Sequence, residues 1–206
     1  TDLTKKCSSE DAKANRNNDA NHTITGVKTG CMKWYIFKED SNNYYAILDH
    51  NTTANVAYNS SNVNTSQGEV ATALLADTTG WVTSLSPKLI TANEIAEITG
   101  ANWNSNTATS GFYLDSTATS GQGTSVYAWL FDNLGWDDNA GNSTISGGNE
   151  WDGVNSAGYW TDTPVSGLDF GVWLVHRNGD LIGGNAHDAY FGLRPVITIS
   201  KNLFNN

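Results

Sequence analysis

Residues 159–200 read YWTDTPVSGLDFGVWLVHRNGDLIGGNAHDAYFGLRPVITIS, and the fold turns on how this stretch divides. Two apolar segments frame it, Gly171-Val-Trp-Leu-Val-His-Arg177 and Phe191-Gly-Leu-Arg-Pro-Val-Ile-Thr-Ile199. Between them small, acidic, imidazole and aromatic residues mix without a period. Asn178-Gly179 is a strong hairpin signal, because a type I′ turn needs positive φ at two successive residues. The turn would pair residues 171–177 with Asp180-Leu-Ile182. Alternation along the strand puts Trp173, Val175 and Arg177 on one face and Val172, Leu174 and His176 on the other. The bulk of Trp173 assigns its own face to the core. Leu174 and His176 are then expected to face outward, with Asp180 and Ile182 across the turn. Gly183-Gly-Asn-Ala-His-Asp-Ala-Tyr190 has no strand or helix period and reads as a surface loop. On periodicity alone, an ordinary sheet edge with Leu174 in the core competes with this reading.

The upstream chain supplies a scaffold. Cys31-Met-Lys-Trp-Tyr-Ile-Phe-Lys38 and Tyr44-Tyr-Ala-Ile-Leu-Asp49 are rich in aromatic and β-branched residues and flank the turn cluster 39–43, which predicts a β-hairpin. Residues 51–65 form a long polar loop. Ser66-Gln-Gly-Glu69 fits a capping box, predicting a helix to about Asp77 that buries Val70, Leu74 and Leu75. Lys88-Leu-Ile90 reads as extended. Thr91-Ala-Asn-Glu94 is a second capping box, opening a helix that carries Ile95 and Ile98 and stops at Gly100. Phe112-Tyr-Leu114 is an apolar island in a polar segment. Val126, Trp129, Leu130 and Leu134 lie at helical spacing. Residues 136–158 are a loop of Asp, Asn and Gly. Strands and helices are segregated, which points to α+β with mixed or antiparallel sheets, two to three short helices and long irregular loops. Residues 1–30 read as a polar N-terminal arm, and residues 31–206 as one domain.

Composition narrows the function classes. The 206 residues are 38% hydrophobic, with eight Trp, so a sizeable core is available. The net charge of -10 repels phosphate backbones and anionic membrane surfaces, which argues against nucleic-acid binding and direct membrane binding. The polar surface is Asn, Ser, Thr and Gly, as in extracellular or cell-surface proteins. No apolar run approaches the roughly 20 residues of a membrane span. Cys7 and Cys31 would pair in a secreted context, closing a loop of about 25 residues and contributing roughly 3 kcal/mol. Two free buried thiols are the alternative.

Signatures of common enzymes are absent: there is no GxSxG, HExxH, P-loop or strand-linked GxGxxG. Asp137, Asp138 and Asp152 offer oxygens that suit Ca²⁺, although their spacing departs from the EF-hand pattern and an Asx-rich turn explains them as well. His176 and His187 would share a transition metal only if the intervening loop folded back.

Tyr159-Trp-Thr161, Trp173-Leu-Val175, Arg177-Asn-Gly179 and Gly192-Leu-Arg-Pro-Val196 together resemble the C-terminal signature of bacterial C-type-lectin-fold proteins, in the branch related to the formylglycine-generating enzyme. Upstream, Cys31-Met-Lys-Trp-Tyr35, Leu48-Asp-His-Asn-Thr52, Leu89-Ile-Thr-Ala92 with Thr99-Gly100, and Tyr127-Ala-Trp-Leu-Phe131 extend the resemblance over most of residues 31–200. Within that branch the chain is similar to variable proteins of diversity-generating retroelements, notably surface and pilin-like proteins of gut bacteria. The resemblance implies a C-type lectin-like fold and a variable ligand-binding surface made of Asp169, Phe170, Leu174, His176, Asp180, Ile182, Gly183, Gly184, His187, Asp188 and Tyr190. It implies a framework at Trp173, Val175, Gly179, Gly192, Arg194 and Pro195. Val172 and Leu193 depart conservatively from the residues expected there. The catalytic relative uses paired cysteines, whereas both cysteines here lie in the first 31 residues, so no enzyme activity and no cofactor are expected. The expected function is adhesin-like binding of a protein or cell-surface ligand. The alternatives are a Ca-dependent glycan-binding lectin and a structural pilin-like subunit whose arm follows an upstream assembly helix.

Overall fold

A computed structural model describes residues 34–49, 51–53, 55–81, 83, 85–118, 125–131 and 157–204. The arm 1–30, Cys7, Cys31, Asp137, Asp138 and Asp152 lie outside the described residues. Two antiparallel four-stranded sheets and two α-helices make an α+β architecture. The first sheet contains β1 (Trp34–Glu39), β2 (Asn43–Leu48), β3 (Leu85–Lys88) and β8 (Val196–Ser200), in the order β1-β2-β8-β3. The second contains β4 (Phe112–Tyr113), β5 (Gly158–Pro164), β6 (Gly171–His176) and β7 (Asp180–Asn185), in the order β4-β7-β6-β5. The helices are α1 (Glu69–Asp77) and α2 (Ala92–Thr99), with single 3₁₀ turns at Ala128–Leu130 and Lys201–Phe204. No helix among the described residues is long and apolar enough to cross a membrane.

Local chemistry explains most of these elements. The β1–β2 turn is held by Asp40, which accepts the Tyr45 hydroxyl and the Asn42 and Asn43 N–H groups, each at 2.7 Å. Those donors hold its carboxyl down at about 2. The capping box at α2 is complete, with Thr91 Oγ1 accepting from Glu94 N–H and Glu94 Oε2 accepting from Thr91 N–H. Gly100 ends the helix in the left-handed region, at φ 68°. The predicted box at α1 does not form. Gly68 is the N-cap without a side-chain bond, because the Glu69 carboxylate is taken by the Ser60 N–H and hydroxyl. Val70 and Leu74 are buried as expected, but Leu75 points to solvent. Of the helical spacing over 125–134, the described residues 125–131 form the 3₁₀ turn, with Val126 exposed; residues 132–134 lie outside the described residues.

The second sheet has apolar material on both faces. One face meets the larger cluster, where Tyr159, Trp173, Val175 and Leu181 pack with Ile47 and Val196 of the first sheet and with Ile95 of α2. On its other face Trp160, Val172 and Leu174 pack with Tyr58, Val70, Leu74, Leu89 and Leu193. The strand β6 is therefore buried at every residue. This corrects the outward placement of Leu174 and His176, which are 0% and 8% exposed. The run Gly171-Val-Trp-Leu-Val-His176 carries the nearly continuous apolar pattern of a strand covered on both sides. The β6–β7 turn is also corrected. His176 pairs with Asp180 across the three residues 177–179, and only Gly179 has positive φ, at 80°. That is the three-residue hairpin loop ending in a left-handed glycine, not type I′. The strand β7 continues through Gly183 and Gly184 to Asn185, where the sequence suggested a loop.

Candidate ligand-binding cleft

A cleft of about 460 Å³ lies against the second sheet beside β7. Its floor includes Trp173, with Phe170, Ile182 and Phe191 as apolar lining and Asn185 and Asp188 as polar lining. Gly183 lies directly opposite Trp173 in the β6–β7 register, so its missing side chain opens space above the indole. A Cβ at Gly183 would have only Val165 Cγ2 within 4 Å, at 3.3 Å. The indole meets the edge of Trp103 with centroids 5.1 Å apart, and its buried Nε1 has no hydrogen-bond partner among the described residues.

The structure sorts the expected surface residues into four groups. Phe170, Ile182, Gly183, Gly184 and Asp188 line the cleft. Asp169 and His187 are exposed nearby, with His187 Nε2 3.5 Å from Asp188 Oδ1. Tyr190 is half-buried outside the cleft lining, with its carbonyl accepting from Ala157 N–H at 3.0 Å. Leu174, His176 and Asp180 serve the framework. Leu174 fills the second cluster, while His176 Nδ1 lies 3.3 Å from Asp180 Oδ1 and closes the hairpin. Gly184 is a mixed case, since a Cβ there would sit 2.7 Å from Leu174 Cδ2. It touches the cleft yet leaves little room for change.

Two contributors were missed by the sequence reading. The far wall comes from Thr109, Ser110 and Gly111, some 70 residues upstream of β7. Gly111 fits so tightly that a Cβ would lie 1.5 Å from the Leu181 carbonyl oxygen. A lone glycine just ahead of Phe112-Tyr113 was the available signal. The second contributor is the polar segment 51–65, which acts as a brace. Asn64 is buried; its N–H donates to Asp169 O at 2.9 Å, and its Nδ2 donates to Gly171 O at 2.8 Å and to Leu168 O. Asn59 N–H donates to Ala186 O, and Asn62 Oδ1 accepts from His187 N–H.

The framework residue Arg194 is fully buried. Its guanidinium donates to the carbonyls of Leu48, Asp49, Trp129 and Leu130 and lies 5.2 Å from the centre of the Tyr159 ring. Burial pushes the Tyr159 hydroxyl up to about 12, against the pull of Arg194. This arrangement joins β2, the 3₁₀ turn and β5, and it turns no titratable group toward the cleft.

Chemically, the cleft offers apolar lining, polar rim groups and one carboxylate among its lining residues. Such a lining can hold a ligand by apolar contact and hydrogen bonds. Among the described residues no group of three His, Cys, Asp or Glu is placed to hold a metal ion. No family model, curated protein or solved structure matches the chain.

Proposed function

We propose that the chain is a cell-surface ligand-binding domain of the adhesin type, built on a C-type lectin-like scaffold, with the cleft at the centre of its binding surface. One observation carries this reading. Residues chosen from the sequence as displayed, Phe170, Ile182, Gly183 and Asp188, come from two segments and meet in one cleft. The YWT, Trp173-Leu-Val175 and Gly192-Leu-Arg-Pro-Val196 segments that carry the resemblance are largely buried around it, as a scaffold should be. In this proposal Asp169, Phe170, Ile182, Gly183, His187 and Asp188 are the variable, ligand-facing positions. Leu174, His176 and Asp180 leave that set for the framework, Gly184 because a Cβ there would meet Leu174, and Tyr190 because it lies outside the cleft lining.

A display experiment tests the proposal. Randomising Asp169, Phe170, Ile182, Gly183, His187 and Asp188 in surface-displayed full-length chain should preserve folded display and yield binders to an unrelated protein such as lysozyme. Randomising Val172, Trp173, Leu174 and Val175 should abolish folded display. Equal loss of display from both libraries would overturn the proposal. Diversification itself is read from the coding region of residues 159–196 in related isolates, where changes confined to adenines of the variable codons are expected.

A further inference from the structure

From the main-chain geometry of β7 we infer that the cleft binds its ligand by strand addition: an extended, cation-bearing peptide segment of a partner protein joins β7 at Gly183. The inference rests on the ligand-binding reading above and adds the class of ligand and its mode of docking. On one side β7 pairs with β6 along its whole length. On the other side it pairs with β4 only at Asp180 and Leu181. Just ahead of β4, the Ser110 carbonyl accepts from Trp103 Nε1 at 2.9 Å and is not part of a ladder with β7. The outer edge of β7 beyond Leu181 consequently has no partner strand among the described residues.

Two contacts fix which way the edge groups point. The Trp173 carbonyl accepts from Thr161 Oγ1 of β5 at 2.6 Å, so it faces away from β7. Trp173 and Gly183 are therefore a pair that exchanges no ladder hydrogen bonds. On β7 itself the Leu181 carbonyl presses against Gly111 on the β4 side. Main-chain direction repeats every second residue, so the Gly183 N–H and C=O face the same way, into the cleft. Gly183 is exposed, so both groups are open to a partner strand from outside. An extended segment supplies an N–H and a C=O at the required spacing, and its alternate side chains would enter the space over Trp173 that Gly183 leaves empty.

The charge pattern selects the partner's chemistry. The cleft lining contains Asp188 and no Lys or Arg, Asp169 is exposed beside it, and the chain carries -10. A second copy of this chain would bring like charge to the edge, whereas a segment with Lys or Arg next to an apolar anchor complements it.

The test begins with twelve-residue random peptides selected on the full-length chain and then synthesised. Strand addition predicts selected peptides that alternate apolar and polar residues and carry Lys or Arg. It predicts at least a tenfold affinity loss with Gly183→Leu, which fills the space over Trp173 with melting temperature as its control. Single N-methylations walked along the peptide should cost tenfold or more at every second position across the contact. If Gly183→Leu abolishes binding but the N-methyl series is flat, strand addition is wrong and the cleft remains the site. Binding indifferent to both Gly183→Leu and Phe170→Ala sinks the cleft as well. Failure to select any peptide over the Gly183→Leu chain overturns the inference, as does a dimer of the unliganded chain that Gly183→Leu dissolves.

Discussion

The strands β6 and β7 are two arms of one hairpin, three residues apart in the chain, yet they live in different solvents. Every residue of β6 is buried, while β7 alternates buried or half-buried with exposed positions from Ile182 onward. The cause is their place in the sheet rather than their own propensity. The arm β6 has a strand on either side and a core cluster on each face; among the described residues β7 has only the two-residue β4 on its outer side. A hairpin's pairing is thus insufficient to assign its exposed face. What matters is whether material covers the second face, and here Tyr58, Val70 and Leu74, all remote in sequence, supply it.

The sharpest way to break this contrast is Leu174→Asn. It leaves a cavity and buries an amide in an apolar cluster, so unfolding stability should fall by about 3–5 kcal/mol in chemical denaturation. A change under about 1 kcal/mol would put Leu174 back on a solvent face. A smaller effect separates the adjacent glycines of β7. Gly184→Ala must displace Leu174 and should cost about 1–3 kcal/mol, whereas Gly183→Ala enters the cleft and should stay within about 0.5 kcal/mol. Equal costs would mean that the cleft is not open above Gly183. Smallest of all, His187→Ala, at an exposed position just beyond β7, should leave the melting temperature almost unchanged, with stability within about 0.5 kcal/mol.

Where local chemistry decides, the sequence was legible. The aromatic and β-branched runs around Asp40 marked the β1–β2 hairpin, and Thr91 with Glu94 marked α2 to its glycine stop. Legibility failed where a distant group competed for a local one. Ser60 took the Glu69 carboxylate that the capping box at α1 needed. The described residues of the 125–134 run form a 3₁₀ turn, and Arg194 takes its Trp129 and Leu130 carbonyls. The cleft was partly legible. Phe170, Ile182, Gly183 and Asp188 stood out as a mixture without a period, but Ser110 and Gly111 gave little sign of their place beside β7. The run at Leu174 did carry a cue, its unbroken apolarity, which the alternation argument outweighed.

The Asn64 brace has one more consequence. Its three bonds to the 168–171 bend all end on main-chain carbonyls, those of Leu168, Asp169 and Gly171. A carbonyl is the same in every residue, so the grip does not depend on which side chains Leu168, Asp169 or Phe170 carry. The bend is anchored by its polymer rather than by its letters. Its shape can persist while its spelling changes, provided that Asn64, far away in sequence, does not.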